Sequence, residues 1–138
     1  MRTPDEGSYR VLIVEDDWLQ AAWLARVVTR AGYEVVGPVA SELSALMEIG
    51  QDPPDTALVD IDLSGQGSLA SRAQPRTSAR VMAALDDWGV PFVVVTSHRR
   101  VAVIPPTPRC VETLLKPVRE NEVLRALDRA LDLSSRSA

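Results

Sequence analysis

The sequence predicts an α/β fold, a doubly wound sheet of five parallel strands, and three observations carry that prediction. Short apolar runs recur without polar alternation, Val11-Leu12-Ile13-Val14, Ala57-Leu58-Val59 and Phe92-Val93-Val94-Val95, as strands buried on both faces read. Segments with helical spacing lie between them, and several stop at glycine: Gly32, Gly50 and Gly89. Strand and helix then alternate with short connections, which points to a parallel sheet covered on both sides, the first and third strands adjacent.

Taken in order, residues 1–9 are polar and read as a flexible N-terminus ahead of a domain over 10–133, with 134–138 a flexible C-terminus. The first strand is Arg10 to Val14. Asp16 or Asp17 can cap a helix from about Trp18 to Ala31, with Leu19, Trp23 and Val27 as its apolar stripe and both tryptophans as packing residues. Glu34 to Pro38 is a short second strand. Ser41 opens a helix carrying Leu43, Leu46, Met47 and Ile49. The third strand ends at Asp60. Residues 64–79, SGQGSLASRAQPRTSA, show no period and read as a long surface loop or insertion. Thr77 or Ser78 caps the next helix, with Val81, Met82, Leu85 and Trp88 apolar. After the Phe92–Thr96 strand, Pro105, Pro106 and Pro108 make a regular fourth helix short or absent, because each proline removes a donor and clashes with the preceding turn. Val111 to Leu115 is the fifth strand, and Val123, Leu124, Leu127 and Leu131 line the final helix.

Bulk properties narrow the function. A chain of 138 residues that is 46% hydrophobic suits one domain with one core. Its formal net charge of −4 argues against a nucleic-acid surface, so protein partners are expected. One cysteine, Cys110, rules out an internal disulfide and a cysteine-based zinc site. No run approaches the roughly 20 apolar residues of a membrane span, and the start is too acidic and polar for a signal peptide, so a cytoplasmic protein is expected.

The chemistry collects at the carboxyl ends of the strands, where open α/β sheets place their ligands. Glu15-Asp16-Asp17 follow the first strand, Asp60 ends the third, Thr96 the fourth, and Lys116-Pro117 follow the fifth. Carboxylates from two strand ends repel one another unless a cation neutralises them, and an open all-oxygen site suits Mg²⁺ better than Zn²⁺. Asp60 can then attack phosphorus as a carboxylate nucleophile while Lys116 compensates charge on the phosphoryl oxygens. Each residue alone has a plainer reading: Asp16 as a helix cap, Thr96 as a turn hydroxyl, Lys116 as a solvated cation. Their conjunction in this order favours the chemistry. His98, the single histidine, sits in the proline-rich loop and is not read as a phosphoryl donor.

These same residues carry a resemblance to the receiver domain of bacterial two-component response regulators, over about residues 9–132. VLIVEDD resembles that family's first strand and acidic pair, DIDLSGQG its phospho-acceptor strand with Ser64 in place of the usual proline, VVVTS its switch-hydroxyl strand, and LLKP its lysine-proline. PFVVVT is also similar to a mostly alphaproteobacterial subgroup of stand-alone receivers with a PF-x-FATG-type fourth strand, from which Ser97-His98 departs. The resemblance implies a flavodoxin-like fold and phosphorylation of Asp60 by a partner histidine kinase. It assigns Mg²⁺ to Glu15, Asp16 and Asp60, phosphoryl contact and switching to Thr96 and Lys116, and a cis bond to Pro117. It implies a signalling protein rather than an enzyme, acting on a downstream protein or through a histidine phosphotransfer protein in a phosphorelay, and it leaves room for a homodimer.

Two other classes compete. DIDLSG also resembles the DxDx nucleophile of haloacid-dehalogenase-type phosphatases, with Asp60 as nucleophile and Asp62 as general acid; that family needs an acidic pair after its lysine, where here a leucine-rich helix follows. The other is a pseudo-receiver that binds a partner without phosphorylation, which the presence of every expected site residue disfavours.

Overall fold

A computed structural model of the chain describes residues 8–61, 78–97 and 107–137. Five strands and four helices lie in these residues: β1 (Arg10–Val14), α1 (Trp18–Arg30), β2 (Glu34–Val39), α2 (Glu42–Gln51), β3 (Thr56–Asp60), α3 (Ala79–Asp87), β4 (Phe92–Thr96), β5 (Cys110–Leu115) and α4 (Glu120–Ser137). The sheet runs β2-β1-β3-β4-β5 with every pair parallel. The reversal of strand order between β1 and β3 puts the ends of these two strands side by side, at the crevice where such sheets bind ligands.

Side chains alternate across the sheet with period two, and each parity builds one core layer. Leu12, Val14, Ala57, Val59, Phe92 and Val94 pack with Ala45 and Ile49 of α2 and Val81, Met82 and Leu85 of α3. Val11, Ile13, Leu58, Val93 and Val95 pack with Leu24, Val27 and Val28 of α1 and Val123, Ala126 and Leu127 of α4. All five residues of β3 and of β4 are buried, which is why Ala57-Leu58-Val59 and Phe92-Val93-Val94-Val95 are apolar without interruption.

The helices exist where their spacing places them, and α3 buries Val81, Met82 and Leu85 as expected, but on α1 and α2 the buried stripe is turned from the expected face. On α1 the buried residues are Ala21, Leu24, Val27 and Val28, whereas Leu19 is 63% and Trp18 75% exposed and Trp23 is half-buried. On α2, Ala45 and Ile49 are buried and Leu43 and Met47 exposed; on α3, Trp88 is exposed beyond the last turn. An apolar residue next to a stripe is as well spaced as one within it, and only the position of the sheet distinguishes them. Gly32, at φ +94°, closes α1 in the left-handed conformation that lets the chain leave a helix without Cβ strain. The backbone of α4 is helical to Ser137, through residues read from the sequence as a flexible terminus.

Asp62, most of the 64–79 segment, His98 and most of the proline-rich stretch where the fourth helix is expected to be short or absent lie outside the described residues, as do residues 1–7. Among the described residues, no helix is long and apolar enough to cross a membrane.

Candidate functional site

The end of β1 turns directly into α1, and the three acids there separate by role. Asp17 is the cap: its Oδ1 accepts from the N–H groups of Leu19 and Gln20 at 3.0 and 3.2 Å. Asp16 is therefore not needed for capping. Glu15 is buried, its N–H donates to the Val39 carbonyl at the end of β2 (2.9 Å), and its Oε2 accepts from the Asp17 N–H at 3.2 Å. That backbone bond to β2 ties down the residue at which β1 ceases to pair regularly, since the register shifts between Leu12 and Val14.

Gly37 makes the β2 contribution possible. It lies at φ +89°, and a Cβ there would stand 2.7 Å from the Val39 nitrogen and 3.3 Å from the Ile13 oxygen. Both the conformation and the approach exclude a side chain. The Gly37–Pro38 bond is cis.

Asp60 is buried at the end of β3, level with Val95 of β4. Ligand oxygens of Glu15, Asp16 and Asp60 lie within 4.8 Å of one another. Lys116 follows β5, its N–H donating to the Thr96 carbonyl at 2.8 Å, and its Nζ stands 3.3 Å from Glu15 Oε1 and 3.5 Å from Asp60 Oδ2. The Lys116–Pro117 bond is cis. Thr96 is fully buried at the end of β4, but its hydroxyl donates to the Ser97 carbonyl at 3.3 Å and not to the acids. Four of the sequence candidates thus share one pocket, and Thr96 borders it with its hydroxyl turned to its own loop.

Three carboxylates face one ammonium, and the electrostatics record the excess. Glu15 is pushed up to about 7 by burial first and then by the hydrogen bond and charge of Asp60, with Lys116 pulling the other way. For Lys116 burial alone would lower the ammonium, but the charges of Asp60 and Glu15 outweigh it and hold it above the ordinary lysine value. Glu15 Oε1 is buried and, although close to the ammonium, makes no directed hydrogen bond. A buried carboxylate oxygen that meets an ammonium but no directed hydrogen bond, among oxygens of two further acids, fits a hard divalent cation with an all-oxygen shell such as Mg²⁺.

Sequence reasoning missed two residues around this pocket. Gly37 carried a signal only as a Gly-Pro pair inside a strand pattern. Ser78 was read as a helix cap, and it does occupy the position before α3, but its hydroxyl donates to the Asp60 carbonyl and makes no bond to the helix.

Comparison with known proteins bears on the fold. No protein-family model and no curated protein matches the chain. Solved structures do match. A signal receiver domain of a modulated diguanylate cyclase from Desulfovibrio desulfuricans G20 is 27% identical, with a TM-score of 0.73, over 95% of this chain and 99% of that one. A CheY-like response regulator receiver domain from Methanospirillum hungatei JF-1 superposes at TM-score 0.77 and 20% identity, over 96% of this chain and 100% of that one. The response regulator PhyR from Brucella abortus is 25% identical at TM-score 0.74, over 94% of this chain and 50% of that one.

Proposed function

With a fold that is that of response-regulator receiver domains, we propose that the chain accepts a phosphoryl group on Asp60 from a partner histidine kinase and signals by the change this makes in its surface. The observation that carries the reading is the Lys116 ammonium held between Glu15 and Asp60, at 3.3 and 3.5 Å, beside three clustered carboxylates. A nucleophilic carboxylate, a cation aimed at it and two spare acids for a metal form the set that phosphoryl transfer to an aspartate requires.

In this mechanism an Asp60 carboxylate oxygen forms a bond to phosphorus as the bond from phosphorus to the donor imidazole nitrogen breaks, and that nitrogen recovers its lone pair. Lys116 neutralises part of the charge on the phosphoryl oxygens from its position beside Asp60. Glu15, Asp16 and Asp60 would hold Mg²⁺, which when bound neutralises charge on the same oxygens. Thr96 acts after transfer: its hydroxyl leaves the Ser97 carbonyl and donates to a phosphoryl oxygen, which moves the start of the segment that follows β4. The acyl phosphate then hydrolyses, so the signal is timed. Partners are a histidine kinase and a downstream protein or phosphotransfer protein.

Incubation with acetyl phosphate or a phosphorylated kinase tests the reading. Wild type should gain about one phosphoryl group per chain as a hydroxylamine-sensitive adduct, while Asp60→Asn and wild type in chelator should gain none. Equal uptake by Asp60→Asn would move the acceptor elsewhere. Continuous turnover of p-nitrophenyl phosphate would instead support a phosphatase.

A further inference from the structure

Beyond Val59, the last β3 residue paired with β1, the acceptor strand loses one of its two neighbours. Asp60 and Ile61 are held there by other means. The Ile61 N–H donates to the Val95 carbonyl over a long 3.4 Å. Ser78 contributes two bonds: its hydroxyl donates to the Asp60 carbonyl and its N–H donates to the Ile61 carbonyl at 3.0 Å.

Ser78 is fully buried and stands at the N-cap of α3. A serine there ordinarily turns its hydroxyl to an N–H of the first helical turn, yet this helix has no side-chain cap bond. The hydroxyl that would complete the helix completes the acceptor strand instead. The Ser78 carbonyl meanwhile accepts from Met82 N–H at 2.9 Å, so one residue joins the first turn of α3 to the two peptide planes that follow Asp60. The first of these planes is attached to the Asp60 Cα, from which the side chain reaches toward Lys116 and Glu15, and the second steadies the chain just beyond it.

We propose that Ser78 is a positioning residue for phosphoryl transfer: through the Asp60 and Ile61 carbonyls it fixes the attack direction of the Asp60 carboxylate and couples helix α3 to the acceptor. The inference rests on Asp60 being the acceptor. In-line transfer is sensitive to sub-ångström placement of the nucleophile, and Ser78 acts on that placement without touching the phosphoryl group.

The test compares the full chain as wild type, Ser78→Ala and Ser78→Thr, with phosphoryl uptake from acetyl phosphate followed by mass spectrometry and folding by circular dichroism. In Ser78→Ala the maximal rate per folded molecule, at saturating Mg²⁺, should fall about tenfold, as for a misplaced reacting atom, while the half-saturating acetyl phosphate concentration holds. Ser78→Thr keeps the donor and should recover most of the rate. A purely structural serine would lower the melting temperature and leave the rate per folded molecule unchanged. That result, or a Ser78→Thr as slow as Ser78→Ala, overturns the proposal. If Ser78→Ala is unfolded at the assay temperature, Ser78→Cys, which fills the same space with a poor donor, takes its place, and a wild-type rate there overturns the proposal equally. Failure of wild type to gain any phosphoryl group, or full uptake by Asp60→Asn, refutes the reading of Asp60 and with it the role of Ser78.

Discussion

Glu15 is the residue at which the pocket's charge imbalance is felt most, because it is buried and raised from 4.5 to about 7. The folded protein therefore holds this proton where the unfolded chain has released it, and between those two pH values folding takes up a proton. Stability from this group is fully present below the unfolded value and is lost as pH rises through the folded one. In chelator, thermal midpoints should decline from pH 5 to pH 7.5. Glu15→Gln should flatten that decline, and Mg²⁺ should restore the midpoint most at the alkaline end; a Glu15→Gln profile identical to wild type would assign the slope to another group. Lys116 acts on the same atoms with opposite sign. Lys116→Ala should retain Asp60 as acceptor but slow phosphoryl uptake by roughly 100-fold, the usual loss when one charge-stabilising donor is removed, which stopped-flow or timed-quench mass spectrometry would read.

At the scale of an element, β2 matters to the pocket more than its edge position suggests. Its last residue, Val39, accepts the Glu15 N–H, and the approach to it runs through Gly37 at φ +89°, where a Cβ would run into the Val39 nitrogen and the Ile13 oxygen. Gly37→Ala puts a methyl 2.7 Å from the Val39 nitrogen in a conformation alanine resists, and should cost about 2 kcal/mol in urea unfolding. Because the displaced carbonyl is the one that holds Glu15, Mg²⁺ affinity should weaken as well. Stability lost with unchanged Mg²⁺ affinity would show that β2 supports the sheet but not the site. Helix α1 contributes its cap in a similar way: Asp17 satisfies the first-turn amides and leaves Glu15 and Asp16 to the pocket.

For the molecule as a whole, the two core layers meet at the central strands β1, β3 and β4, and Phe92 is the largest fully buried side chain. Phe92→Ala should lower unfolding free energy by about 3–5 kcal/mol, the range for a buried aromatic removed from a packed core, with an unchanged denaturant slope if two-state unfolding holds. Arg10 ties the opposite end of the sheet, contacting Glu34, Asp52 and the carbonyls of Asp52 and Pro53. Among the described residues, the acids at that end are not gathered within reach of one metal ion as Glu15, Asp16 and Asp60 are, so the sheet separates a structural edge from a chemical one. Such a separation lets the loops at the carboxyl edge vary without unfolding the core.

Much of this was legible in the amino-acid order. Central strands buried on both faces must be apolar without interruption, so VLIV, ALV and FVVV announced β1, β3 and β4, and the polar residues that ended them announced where chemistry would gather. Asp60, Glu15, Asp16 and Lys116 were visible because a charged residue closing an apolar run is a local pattern. Other features depended on partners distant in the chain. Helical spacing on α1 offered Leu19-Trp23-Val27 as the stripe, and only the sheet beneath decided that Ala21, Leu24 and Val28 would be buried with Val27 and that Trp18 and Leu19 would be exposed. The same holds for Ser78. Its sequence setting is that of a helix cap, but the Asp60 carbonyl, one residue beyond the last β1 partner, lies within reach of its hydroxyl. Local periodicity determined which elements form; which face each one buries, and where each spare hydrogen bond goes, was decided by the tertiary structure, because burial and polar satisfaction are properties of neighbours in space.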